Sequence, residues 1–108
     1  MDFLGILDRL QAVSAPGLLG HDLPRVADPK DKKDKGRAGD PFVWVDPEKL
    51  PAFLERCRDD PRLAFELLVD FSAVDPSKDD PNLWVVVNLL SLACRHRLTV
   101  KCTLPKAA

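Results

Sequence analysis

The feature that most constrains this chain is an uncharged run that begins at Pro81 and is stopped by the charge of Arg95. Its centre reads Leu83-Trp84-Val85-Val86-Val87-Asn88-Leu89-Leu90-Ser91-Leu92. Three consecutive valines favour a strand, because branched side chains lose rotamer freedom against the preceding turn of a helix. Apolar groups fall on both alternating faces, which is the pattern of a strand with neighbours on each side. The run is too short and too often broken by Asn and Ser to serve as a membrane-spanning helix, which needs ~20 apolar residues.

The flanking segments extend the pattern. Residues 97–104 alternate, with Leu98, Val100, Cys102 and Leu104 on the inward side and Arg97, Thr99, Lys101 and Thr103 outward. Upstream, Phe65, Leu67, Val69, Phe71 and Ala73 alternate with Glu66, Leu68, Asp70 and Ser72, the signature of a half-buried strand. Short connections between the three predict an antiparallel meander.

Two segments carry a helical period instead. Over residues 2–13, Phe3, Ile6, Leu7, Leu10 and Val13 share one face, and Ser14-Ala15-Pro16-Gly17 ends the ladder. Asp46-Pro47-Glu48 opens a second helix with a capping acid and a proline in the first turn. Leu50, Phe53, Leu54 and Cys57 form its apolar stripe, Pro51 delays its regular start, and Asp59-Asp60-Pro61 closes it. Between the helices, Leu23–Val26 and Phe42–Val45 read as short strands. They flank residues 28–40, whose five cations, four anions and lack of any large apolar side chain predict a solvated, mobile loop.

The order α-β-β-α-β-β-β predicts an α+β fold, a two-layer sandwich with two helices on one face of a mixed, mostly antiparallel sheet. A length of 108 residues suits a single domain. The open face is expected to carry Glu66, Asp70, Arg97 and Lys101, with part of Trp84, Val86 and Leu90.

Charge and cysteine usage narrow the function. Sixteen cations against seventeen anions lack the basic footprint of a general nucleic-acid binder. Three cysteines, none spaced as Cys-x-x-Cys, do not form a secreted disulfide framework, and the acidic N-terminus does not read as a signal peptide. Cys94, His96 and Cys102 offer too few ligands for a structural zinc site, and the plainer reading is buried thiols with a surface turn histidine. His21-Asp22 lacks a nucleophile, Gly17–Gly20 lacks the lysine of a phosphate loop, and Asp70, Asp75, Asp79 and Asp80 lack calcium-loop spacing. No catalytic, cofactor-binding or metal-binding residue emerges. Trp84, Arg97 and Lys101 are the candidate partner contacts, because strand alternation turns them outward. An alternative is a stand-alone small-molecule or anion-binding module that uses the basic 95–101 strand.

Three pieces of sequence carry a resemblance. They are Phe65-Glu66-Leu67-Leu68-Val69-Asp70-Phe71-Ser72-Ala73-Val74-Asp75, then Val86–Leu92, then Arg97-Leu98-Thr99-Val100-Lys101 running on to Leu104-Pro105. Together with Asp46-Pro47-Glu48 and its flanks, residues 42–105 resemble the C subunit of the proton-pumping NADH-quinone oxidoreductase, respiratory complex I. Pro76 and Val87-Asn88 depart from the family's usual Tyr and Tyr-His, and the chain has no Tyr. Members of that family usually continue into a Glu-Arg-Glu-x-x-Asp-x-x-Gly region that is absent before Ala108, so the chain is expected to match the family's N-terminal domain.

The resemblance implies a non-catalytic scaffold of the peripheral arm, packed on the quinone-site subunits, with no cofactor of its own. FMN and iron-sulfur clusters would belong to other subunits of the parent complex. It also implies a cytoplasmic location, peripheral on the inner face of the cell membrane, with no membrane span of its own.

Overall fold

The computed structural model describes residues 1–24, 29–33, 40–75, 78–79 and 81–105. Helix α1 (Phe3–Ala12) is followed by β1 (Leu18–Asp22), β2 (Phe42–Val45), a 3-10 turn (Pro47–Lys49), α2 (Leu50–Asp59), β3 (Leu67–Val74), β4 (Asn82–Ser91) and β5 (His96–Pro105). The fold is α+β, with five strands ordered β1-β2-β5-β4-β3. Neighbours pair antiparallel except β2 and β5, which run parallel.

Local chemistry sets the helix ends. The Asp2 carboxylate accepts the Gly5 amide at 2.9 Å and caps α1. At the other end Ser14 sits at φ 51°, the Ser14 amide donates to Gln11 and the Ala15 amide donates to Leu10. That is a Schellman ending with Ser in the left-handed position. Asp46 caps the Pro47–Lys49 turn through the Glu48 amide at 3.0 Å. The regular helix begins only at Leu50, as expected from the second proline.

The core lies between the helices and one face of the sheet. Ile6, Leu7 and Leu10 from α1 and Phe53 and Cys57 from α2 join Val43, Val45, Val85, Val87, Leu89, Leu98, Val100 and Cys102. Both expected apolar stripes are thus used.

Three expectations need correction. The first strand is Leu18–Asp22 and not Leu23–Val26, because the chain leaves Gly17 directly into pairing with β2; Arg25 and Val26 lie outside the described residues. The charged loop expected at 28–40 also lies largely outside them, at 28 and 34–39, as does Pro76. Strand β3 is not half-buried. Phe65 is buried but precedes the strand, and Val69 and Phe71 are 61% and 59% exposed because neither helix reaches over this edge. Leu104 is 43% exposed, since the helical layer ends before the tip of β5. The run at Leu83–Leu92 does have neighbours on each side, since β4 lies between β5 and β3, and the parallel pairing inserts β5 beside β2.

Candidate partner-binding surface

The sheet face turned away from the helices is built by strand alternation. Phe42 and Trp44 project there from β2, Trp84, Val86, Asn88 and Leu90 from β4, and Arg97, Thr99, Lys101 and Thr103 from β5. The registers bring Lys101 beside both Trp44 and Val86, and Trp84 beside Thr103. No described helix covers this face.

Two tryptophans and a lysine meet at its centre. The Trp44 and Trp84 rings stand edge to face with centroids 5.5 Å apart, and Trp44 and Phe42 do the same at 5.1 Å. Lys101 Nζ lies 3.8 Å from the Phe42 centroid and 5.1 Å from that of Trp84. Phe42 is buried beneath this cover, whereas Trp44, Trp84 and Lys101 are half-buried. The Trp44 Nε1–H donates to Asp22 Oδ2 at 3.3 Å. Aromatic rings locked against one another and bridged by a cation form a rigid, amphipathic platform of the kind enriched at protein interfaces.

Two of the three residues singled out by sequence, Trp84 and Lys101, therefore come together. Arg97 does not join them. It lies four residues back along β5, roughly 13 Å away at strand rise, beside Leu90. The choice of Trp84, Arg97 and Lys101 from the sequence left Phe42 and Trp44 out of the platform. Their even-numbered spacing on β2 held the signal, but the parallel β2–β5 register needed to place them beside Lys101 is a tertiary fact.

The remaining candidates disperse. His96 is buried and not a surface turn residue. Its Nε2–H donates to the Leu63 carbonyl at 2.7 Å, and its ring lies 4.8 Å from that of Phe65. It thus faces opposite to Arg97 and Lys101, and the basic 95–101 strand is split between two faces. A concavity of about 630 Å³ does lie beside Arg95 and Arg97, but Asp2 and Asp40 line it too. That mixed lining does not supply the single-sign field expected of an anion site. His21 is an exposed β1 residue near the Phe3 ring. Glu66, expected on the open face, turns instead to accept the Leu92 and Ala93 amides at 2.7 and 3.4 Å. Among the described residues, no three His, Cys, Asp or Glu side chains converge as metal ligands.

The cysteines do not fit an iron-sulfur cluster, which takes four converging thiolates. The chain has three. Burial, aided by the charge of Asp60, pushes the Cys57 thiol up to about 12, and burial raises that of Cys102 as well. Cys94 is half-buried in the β4–β5 turn.

Comparison with known proteins gives the surface a context. The family model described as respiratory-chain NADH dehydrogenase, 30 Kd subunit, matches residues 43–108. The NADH-quinone oxidoreductase C subunit of Roseiflexus castenholzii is 35% identical over 96 residues, which are 89% of this chain and 48% of the relative. The protein of the same name from Herpetosiphon aurantiacus is 37% identical over 70 residues, 65% of this chain and 41% of the relative. That from Roseiflexus sp. strain RS-1 is 31% identical over 101 residues, 94% and 51%. The chain spans about half the length of the curated relatives it matches.

Proposed function

Because this chain belongs to the 30 kDa, or C-subunit, family of respiratory-chain NADH dehydrogenases, we propose that it acts as a scaffold in the peripheral arm of complex I. It packs on the quinone-site subunits and supports electron transfer from NADH to quinone without reacting itself. FMN and the iron-sulfur clusters reside on other subunits. The chain works on the cytoplasmic side, held at the inner face of the membrane through the complex. No described helix is long and apolar enough to cross a membrane.

The observation that carries this reading is the Trp44–Trp84–Lys101 platform, raised on a sheet face that no described helix covers. Half-exposed tryptophans cost little additional ordering when a partner buries them, since neighbouring rings already fix them. Arg97, exposed at the other end of β5, supplies a rim charge.

Co-expression of the tagged chain with the quinone-site subunits tests the proposal. Wild-type chain is expected to retain them. Trp84→Ala is expected to weaken retention by about thirtyfold, the size of an interface hot spot. Lys101→Glu is expected to weaken it too, while melting curves show both variants folded. Undiminished retention by both variants contradicts the platform as the contact.

A further inference from the structure

Strand β3 is fastened to the molecule at few points. It pairs with β4 on one side and with no described strand on the other. None of its side chains belongs to the buried core, and all but Ser72 are exposed. Its ladder is itself interrupted, because the register with β4 shifts between Leu68 and Asp70 and leaves Val69 as the extra residue. A bulge of this kind disrupts the local pairing. Backbone hydrogen bonds with little apolar burial behind them are the ones that open at low cost.

The segments on either side of β3 are held without it. Upstream, Leu63 and Phe65 are buried, the Phe65 amide donates to the Cys57 carbonyl at 3.0 Å, and the Glu66 amide donates to the Ala64 carbonyl at 2.9 Å. The chain thus leaves the core at Glu66 through a three-residue turn. Downstream, β4 pairs with β5 from Asn82 to Ser91 and places Val85, Val87 and Leu89 in the core. The opposite edge of the sheet differs, since Leu18 of β1 packs on the core and Asp22 accepts the Trp44 indole N–H.

One side chain ties the start of β3 to the rest of the sheet. Glu66, the residue before β3, reaches the β4–β5 turn and accepts the Leu92 amide at 2.7 Å and the Ala93 amide at 3.4 Å. The turn has its own brace, because Ser91 Oγ accepts the Cys94 amide at 3.0 Å. The Glu66 bonds therefore fasten β3 to the turn rather than shape the turn. Hydrogen bonds to an ionised acceptor are stronger than neutral ones, so this contact weighs heavily against the little else that holds β3.

We infer that β3 is a strap clasped by Glu66: residues 67–74 leave β4 as one unit, together with the bonds from Leu92 and Ala93 to Glu66, while the helical layer and the other four strands stay folded. The open form bares the β4 edge from Trp84 to Leu90, which β3 otherwise pairs. This opening is a property of the chain itself and is independent of the scaffold reading.

Native-state hydrogen exchange of the full chain tests it, followed amide by amide in urea concentrations below the unfolding transition. Relative to their unstructured rates, β3 amides bonded to β4 are expected to exchange at least about a hundredfold faster than those of β5, with almost no dependence on urea. The Leu92 amide, on the other hairpin, is expected to share the opening constant of β3. Glu66→Ala is expected to raise that constant about tenfold, and Glu66→Gln, which keeps one acceptor oxygen, by less. Val43→Ala, a cavity in the core on β2, is expected to speed exchange in β5 while leaving β3 unchanged, because it destabilises the closed and open forms alike.

A single opening constant and a single urea slope shared by β3 and β5 overturn the inference. So does Val43→Ala speeding β3 as much as β5, since β3 would then open only when the whole chain unfolds. Unchanged β3 exchange in Glu66→Ala overturns the clasp, as does a Leu92 amide that opens more readily than β3. The wild-type profile decides by itself if a variant fails to fold.

Discussion

The Arg9 guanidinium grips the Asp60 carboxylate by two nitrogens, Nε at 3.1 Å from both oxygens and Nη2 at 2.8 Å from Oδ2. The pair ties α1 to the end of α2. Asp60 is buried and also accepts the backbone amides of Arg62 and Leu63, at 2.9 and 3.3 Å. One side chain thus closes a helix, shapes the turn that seats Leu63 in the core and joins the two covering helices.

Replacing Asp60 with Ala removes all of these bonds and leaves the Leu63 amide buried without its carboxylate. A loss of about 2–3 kcal/mol in unfolding free energy is expected, measured by urea titration. Asp60→Asn keeps an acceptor for the backbone amides and is expected to lose less.

The same residue sets an acid limb. Donation from Arg9, with help from the Arg62 and Leu63 amides and against the cost of desolvation, holds the Asp60 carboxyl below the usual carboxylate range. A depressed folded value means that the native state holds its proton more weakly than the unfolded chain. The stabilisation is therefore fully present above about pH 4–5 and is lost as pH falls through the ordinary carboxylate value towards the folded one. Stability curves of wild type and Asp60→Asn are expected to converge on acidification below pH ~4. Parallel curves would show that Asp60 titrates normally.

Gly17 is required where the chain turns from α1 into β1. It sits at φ 81°, and a Cβ there would lie 2.7 Å from Cβ of Lys49. Its carbonyl accepts the Asp46 amide at 2.8 Å, which starts the β1–β2 pairing. Gly17→Ala is expected to lower stability by about 1–2 kcal/mol, read as a drop in melting temperature. Gly20, with open space around its Cβ position, is expected to tolerate Ala far better.

Much of the fold was legible because its signals are local. The stripes of α1 and α2, the capping acids Asp2 and Asp46, the delayed start at Leu50 and the alternation of β4 and β5 all follow from residue spacing. The errors have tertiary causes. The alternation around Phe71 implied a buried face, yet burial depends on whether a helix reaches that edge, and neither α1 nor α2 does. His96 next to Arg95 and Arg97 resembled one basic cluster until the strand turned it inward to Leu63. Trp84 and Lys101 could be oriented by period two. Their juxtaposition with Trp44 and Phe42 required the parallel β2–β5 pairing, which is non-local.

The three thiols are expected to differ in reactivity. Cys57, raised to about 12 by burial and by Asp60, and the buried Cys102 are shielded, while Cys94 is half-buried at a turn. The thiolate is the reactive form. A disulfide reagent at pH 8 is expected to modify Cys94 in the native protein and all three after unfolding. Fast modification of Cys57 in the folded chain would refute the packing of α2 against the sheet.

The most direct measurement of the scaffold account compares hydrogen exchange and side-chain labelling of the chain alone with those of the chain bound to the quinone-site subunits. Oxidative footprinting reads Trp44 and Trp84, and amide exchange reads β4 and β5. The account expects both tryptophans to become protected on assembly, with the buried helical layer unchanged. Assembly that leaves Trp44 and Trp84 as accessible as in the free chain would contradict it.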